Sequence, residues 1–375
     1  VSLTVQFLSS LNQANPHEWN ALAGEHTLLR HEFLSAFELH NCVGDHAGWT
    51  PRHLVMYRGS SLCAAMPLYL KTHSRGEYVF DFSWADAYAR HGLAYYPKLL
   101  CAVPFTPVGG PRLLAHDAHD KRRLIDEAIG FCQAGKLSSL HILFPDEHDS
   151  ALLGQHGLLE RRNVQFHWHN QGYVSYDAYL AGLSQPKRKK LKQAAKYLEQ
   201  AGIRFVFREA GAITPDDWSF FYRCYRHTYH ERGQQPYLNP GFFRQVHRDL
   251  PQAFVLVLAY QQNEPVACAL NIRSGDTLYG RYWGCRQFVS GLHFETCYAQ
   301  GIRYCITHSL QRFEGGAQGE HKLARGLLPA TTRSYHWISH PRFAQAIDDY
   351  LTRETLAIDD YRTVLLEHSP YRRTE

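Results

Sequence analysis

Apolar positions in this chain recur at helical and extended spacings in turn, and the alternation runs through twice. In the first half, a helix is expected around Glu32–Cys42, before the extended runs Arg52–Tyr57 and Leu62–Leu70. Tyr78–Phe82 reads as a further extended run, and the aromatic stretch Trp84–Tyr96 has no clear period. Ala102–Val108 reads as a strand ending at Gly109-Gly110-Pro111. A helix over Lys121–Ala134 and a short buried strand over Ser139–Phe144 follow, then extended runs at Val164–Trp168 and Tyr173–Ser175.

The next helix has clearer punctuation. Ser184 stands at a capping position and Pro186 in the first turn, where its missing N–H removes no bond. Leu191, Ala194, Ala195 and Leu198 share one face, and Gly202 is suited to a left-handed stop. Ile203–Phe207 then alternates like a strand. Thr214-Pro215-Asp216-Asp217 is a cap, a first-turn proline and an acidic third position, so it opens a helix. Asn239-Pro240 opens another. Ala253–Ala259, Pro265–Ile272 and Thr277–Gly284 predict three strands joined by tight turns. A helix is expected from Leu292 to Leu310, a short segment at Phe313, and a helical tail from Pro341 to Leu366.

Three consecutive strands with tight turns argue against a purely parallel α/β fold. The expected architecture is α/β of the α+β kind, with mixed, mostly antiparallel sheets flanked by helices. Two such lobes are expected in tandem, residues 1–175 and 176–375, with the basic helix 185–201 opening the second. A cleft between them would hold a substrate.

Composition narrows the function classes. Forty Lys and Arg against 35 Asp and Glu give a net charge of +5, well short of a dedicated nucleic-acid binder. The nine cysteines form no CxxC pair, as expected of reduced thiols in a cytoplasmic protein. No secretory leader or membrane span is expected from the apolar runs.

Several runs resemble a known family. They include Trp49-Thr50-Pro51-Arg52-His53-Leu54, Ala65-Met66-Pro67-Leu68-Tyr69-Leu70-Lys71 and Val103-Pro104-Phe105-Thr106-Pro107-Val108. Later come Gln165-Phe166-His167-Trp168-His169-Asn170, Leu278-Tyr279-Gly280-Arg281-Tyr282-Trp283-Gly284 and Gly316-Ala317-Gln318-Gly319-Glu320-His321-Lys322. Together these resemble the FemAB-like predicted N-acyltransferases, a family labelled peptidoglycan biosynthesis or recognition. The resemblance implies two GNAT-like lobes and transfer of an acyl or aminoacyl group to an amine, with acyl-CoA or aminoacyl-tRNA as donor.

Such a reaction needs a proton acceptor, donors for the oxyanion, and alignment of the two partners. A backbone N–H on the splayed strand Leu278–Gly284 is the expected oxyanion donor. Glu320 and His321 are candidate bases, with Glu314 and Glu295 behind them. Lys322 and Arg325 could hold a carboxylate or phosphate. His167 and His169 share one strand face and could meet substrate; a metal site would need a third ligand, and none is expected. Arg281 on a central strand requires a partner, and Tyr282 beside it is a substrate-binding candidate. Lys187, Arg188 and Lys190 at a helix start are candidates for an anion or a tRNA stem, since cations there oppose the helix dipole unless an anion compensates.

One segment departs from the CoA-using pattern. Arg286-Gln287-Phe288-Val289-Ser290-Gly291 has a single glycine where a pyrophosphate cradle needs several. That leaves aminoacyl-tRNA or another activated donor open. It also keeps a rival reading in view: a non-catalytic binder of cell-wall precursors or another anionic metabolite. An RNA-binding module is a weaker rival, because the basic run lacks interleaved stacking aromatics.

Overall fold

The computed structural model describes residues 2–317 and 319–372, so Gln318 of the glycine-rich motif lies outside the described residues. The chain divides into two compact units: Val1–Asn163 with Thr331–Asp360, and Val164–Ala330 with Tyr361–Glu375. The expected tandem boundary was 175/176; the observed units are instead discontinuous in sequence. The strands Leu159–His169 and Leu328–Ile338 and the helix Pro341–Glu367 each run from one unit into the other.

The first unit has a sheet of Leu3–Leu8, His53–Arg58, Ser61–Met66 and Leu114–Ala115, in that order. Its other strands are Trp49–Pro51, Leu68–Lys71, Lys98–Cys101 and Ser139–Leu143, with Ser334–Ile338 antiparallel to the last. The helix Ala118–Ala134, capped by Asp117, buries Leu124, Ile125, Ala128 and Cys132 against Met56, Ala64, Leu99 and Leu140. The helix His31–Leu39, close to the expected Glu32–Cys42, buries Phe33, Leu34, Ala36 and Phe37.

Two expectations fail in this unit. Tyr78–Phe82 is not a strand: Tyr78 adopts φ 62°, and a helix starts at Phe82 and runs to Arg90. Ala102–Val108 is irregular, because Pro104 and Pro107 cannot donate to a ladder and Phe105 has φ 55°. The strand is instead Lys98–Cys101.

The reason lies in a buried ionic network. The Lys98 ammonium donates to Glu77 at 2.8 Å, to Ser74 at 2.9 Å and to Asp81. Burial works against its charge, but Glu77 and Asp81 outweigh burial and hold its pKa above the usual lysine value. The Tyr95 hydroxyl donates to Asp81 at 2.5 Å and lies 3.2 Å from Nε2 of His141. His141 and His336 face each other in register, their Nδ1 atoms 2.6 Å apart. Burial pushes His141 down to about 3 and His336 well below its ordinary value, so both rings are neutral near pH 7.

In the second unit, Ile203–Glu209, Phe254–Gln261, Glu264–Ser274 and Thr277–Cys285 form an antiparallel ladder. The last pairs in parallel with Arg312–Glu314, which pairs antiparallel with His167–His169. Helix Pro215–His230 opens with the expected capping box, in which Thr214 and Asp217 satisfy each other's backbone N–H. It packs closely on the ladder: a Cβ on Gly284 would stand 2.5 Å from the Cys224 carbonyl oxygen. The basic helix runs Gln185–Gln200, and Gly202 follows at φ 73°. Ser184 occupies its N-cap position, although its side chain makes no capping bond.

No helix among the described residues is long and apolar enough to cross a membrane. The nine cysteines are all free.

Candidate active site

The strand Thr277–Cys285 is nine residues long, but its parallel neighbour has only three. Among the described residues, the pairing between them runs Thr277–Arg312, Leu278–Phe313 and Tyr279–Glu314 and goes no further. From Gly280 onward the strand loses its neighbour on that edge. The other edge is disturbed at the same height: Leu270 pairs with Tyr282 and Asn271 with Gly280, which leaves Arg281 as an extra bulged residue. The chain leaves Glu314 through Gly315 and Gly316. The sequence therefore encodes a splay: a long strand, a short one, and glycines where they part.

The gap is a cavity of about 140 Å³. That volume holds roughly five waters. Its sheet side is Ala269, Leu270, Asn271 and Gly280–Trp283, with Phe313, Gly315 and Gly316. Its helix side is His293, Cys297 and Tyr298. Every lining residue belongs to the second unit. The expected continuous helix from Leu292 is instead Leu292–Phe294, a π turn over Glu295–Ala299, and Gln300–Thr307. Such a turn inserts a residue into the helical repeat and re-aims the side chains around it.

The wall is cationic and aromatic. Burial pulls Lys322 down to about 8, and its ammonium donates to the Gly316 carbonyl oxygen at 2.8 Å. Gly315 makes room for it, since a Cβ there would approach Leu327 to 2.6 Å and Lys322 Cδ to 3.2 Å. Burial, helped by His321, Arg325 and Lys322, lowers His293 to about 4. His293 packs on Trp283 with ring centroids 5.0 Å apart. The Tyr298 hydroxyl lies 3.2 Å from Nε2 of His321. Partial burial, with Lys322 and Arg325 nearby, lowers the pKa of His321 as well, while the residue stays exposed. Burial raises Tyr298, so its hydroxyl keeps its proton.

Of the residues expected from sequence, Arg281 and Tyr282 line the cavity, and Lys322 and His321 bond to groups on its rim or wall. Arg325 donates to the His321 carbonyl oxygen at 2.6 Å and stacks on Phe294, its guanidinium carbon 3.5 Å from the ring centroid. Glu320 is exposed, outside the cavity wall, and accepts from the Tyr361 hydroxyl at 2.6 Å. Glu314 is buried and ion-paired with Arg312 at 3.2 Å. His167 stands opposite Glu314 in register, 3.8 Å from it, and burial takes His167 down to about 3. His169 is exposed on the same strand. Neither histidine lines the cavity. Glu295 lines a different, smaller cavity. Lys187, Arg188 and Lys190 lie in the first turns of the basic helix, and none of them lines either cavity. Among the described residues, no group of three His, Cys, Asp or Glu side chains could hold a metal ion.

Sequence reading missed His293, Cys297 and Tyr298. His293 and Cys297 stand four apart, a spacing visible in the chain, but the π turn that brings Tyr298 to the same cavity has no sequence signature.

A mixed sheet whose parallel central pair splays over a helix start is the GNAT arrangement, and the fold is a double GNAT-like fold of the kind used by acyl- and aminoacyl-transferases. The chain belongs to the FemAB-like family, described as peptidoglycan biosynthesis/recognition, which it matches over residues 10–373. Among solved structures, FemX shares the fold at 12% identity with a TM-score of 0.56, over 89% of this chain and 98% of that one. The C-terminal DUF2156 domain of a putative lysylphosphatidylglycerol synthetase from Agrobacterium fabrum matches at 8% identity and a TM-score of 0.53, over 91% and 96%. L-PGS from Bacillus licheniformis matches at 10% identity and a TM-score of 0.53, over 90% and 97%. No curated protein sequence matches the chain significantly.

Proposed function

We propose that the protein transfers an acyl or aminoacyl group to an amine on a peptidoglycan precursor or a related cell-wall metabolite, and that the splayed-strand cavity is where the new bond forms. The observation that supports this most is the juxtaposition of an opened strand edge with the Tyr298–His321 hydrogen bond. In this reading the amine nitrogen attacks the donor carbonyl carbon. The carbonyl oxygen takes up negative charge beside the strand edge beyond Gly280, where backbone N–H groups face no neighbouring strand. The amine proton passes to Tyr298, whose own proton goes to His321 and from there to water. The C–N bond forms, the donor's ester bond to oxygen breaks, and the leaving alkoxide takes a proton from water to become a hydroxyl. Lys322 and Arg281 supply positive charge for an anionic substrate.

The donor we favour is an aminoacyl ester such as aminoacyl-tRNA. The segment Arg286–Gly291 has one glycine and an almost fully exposed Phe288, which is a poor cradle for the CoA pyrophosphate. The same segment favours the rival reading of a precursor binder without transfer activity.

Incubation with an amine-bearing muropeptide precursor and either charged tRNA or acyl-CoA, followed by mass spectrometry, separates these readings. The expected product is the precursor enlarged by one aminoacyl group, formed with charged tRNA. No product with either donor, together with a melting shift by precursor alone, would support the binder instead.

A further inference from the structure

The sheet wall of the splayed-strand cavity carries a buried polar side chain that the transfer reading leaves unused. Asn271 is 2% exposed and stands directly opposite Gly280, where the strand edge opens. Side chains alternate along Glu264–Ser274, so Asn271 shares a face with Ala269, which pairs with Trp283. Trp283 packs on His293, so this face looks toward the π turn that carries Cys297 and Tyr298. The amide is anchored at one end: Nδ2 donates to the Val255 carbonyl oxygen at 3.2 Å. Its other end, Oδ1, accepts no hydrogen bond among the described residues. The cavity wall thus includes a fixed amide with an acceptor oxygen to spare.

We propose that Asn271 holds the nucleophilic amine, accepting one of its N–H groups at Oδ1 while the nitrogen lone pair faces the donor carbonyl. This rests on the transfer reading above and adds to it a selection for primary amines. Lys322, Arg281 and the strand N–H groups only donate, so they suit the donor carbonyl and offer an amine N–H nothing. An amide oxygen accepts without taking up the proton, so it orients the nitrogen and leaves the proton to Tyr298. Without a donor, Oδ1 is a buried acceptor left unmet, which is unfavourable. A primary amine has one N–H for Tyr298 and a second for Asn271. A secondary amine gives its single N–H to Tyr298 and leaves Oδ1 without a partner, and a site built to bond a missing group discriminates against the analogue that lacks it.

The test compares an amine-bearing muropeptide precursor with the same precursor methylated once on that nitrogen, with charged tRNA as donor. It uses the wild type, Asn271→Leu and Asn271→Ala, each checked by its melting temperature. Leucine keeps the approximate shape of the amide and alanine only removes atoms, so the two variants disturb the fold in different ways. The wild-type kcat/KM should be about tenfold higher or more for the primary amine. Both variants should lose about tenfold on the primary amine and less than about threefold on the methylated one, which erases the preference. Wild-type indifference to the methyl group overturns the proposal, and this comparison needs no variant. A preference that survives in a folded variant also overturns it, since the methyl group is then rejected by shape. Equal losses on both acceptors overturn it as well, because they put Asn271 on the donor or in the fold alone. Product formed without discrimination sinks this proposal and leaves the transfer reading standing; no product from the wild type with either precursor sinks both.

Discussion

Tyr298 and His321 are joined by a hydrogen bond of 3.2 Å, and one of them lines the splayed-strand cavity while the other is open to water. A proton leaving the cavity by this route needs both groups. Tyr298→Phe and His321→Gln should each lower kcat by about 10²-fold, the lower end of what a positioned acid–base group contributes. Because they act as one path, the double variant should lose little more than either single one. Steady-state kinetics on the three proteins checks this, and a fully active Tyr298→Phe variant would rule the path out.

Lys322 makes the site's affinity depend on pH. Burial lowers its pKa to about 8, so its charge is lost as pH rises through that value. The KM for an anionic substrate should therefore increase above pH 8 in the wild type. Lys322→Met should raise KM about tenfold at pH 7 and flatten the alkaline rise. Initial rates between pH 6.5 and 9.5 decide the matter.

Glu320 is the base that the sequence puts forward first, but its exposed carboxylate is bonded to Tyr361. Glu320→Ala should change kcat less than twofold. A loss of 10-fold or more in the same assay would return Glu320 to the reaction.

Acid should unfold the protein earlier than its carboxylates alone would cause. His141, His167, His293 and His336 are all held below the ordinary histidine value, mainly by burial. The unfolded chain therefore binds more protons than the folded one as pH falls below about 6.5, and stability is lost in that direction. Glu77, raised to about 7, and Glu295, also raised, both by burial, work the other way, but they are two groups against these four histidines. Urea midpoints should drop steadily from pH 7 to 5, and His336→Gln should make the slope shallower. A flat profile would contradict buried neutral imidazoles.

Gly284 is fixed by a neighbour that cannot yield. The Cβ of Gly284→Ala would stand 2.5 Å from a backbone oxygen of Cys224. The substitution should destabilise the protein by about 1–3 kcal/mol, the usual range for overpacking a close contact. Thermal unfolding of the variant measures it.

The ladder of the second unit was legible because Phe254–Gln261, Glu264–Ser274 and Thr277–Cys285 are apolar runs between turn residues. The helix at Pro215 was legible from its capping box. Leu328–Ile338 was missed because Thr331–Ser334 dilutes its alternation with four polar residues. Lys98–Cys101 was displaced in the reading because a strand starting with a buried lysine is unusual, and its partners Glu77 and Asp81 lie some twenty residues away. In the site, chain-adjacent chemistry was visible in Arg281, Tyr282, His321 and Lys322. His293 and Tyr298 were not, because a π turn leaves no trace in periodicity.

The first unit takes Thr331–Asp360 from beyond Val164–Ala330, the larger part of the second. Trp84, Tyr88 and Tyr95 are covered by Ile338, Ile347 and Leu351 from that late segment, and His141 meets His336 there. A ribosome making about 5–20 residues per second needs roughly 8–33 s between the two parts. Throughout that interval the earlier half is incomplete, with a sticky aromatic face exposed. A clone stopped at residue 163 should therefore be recovered from inclusion bodies.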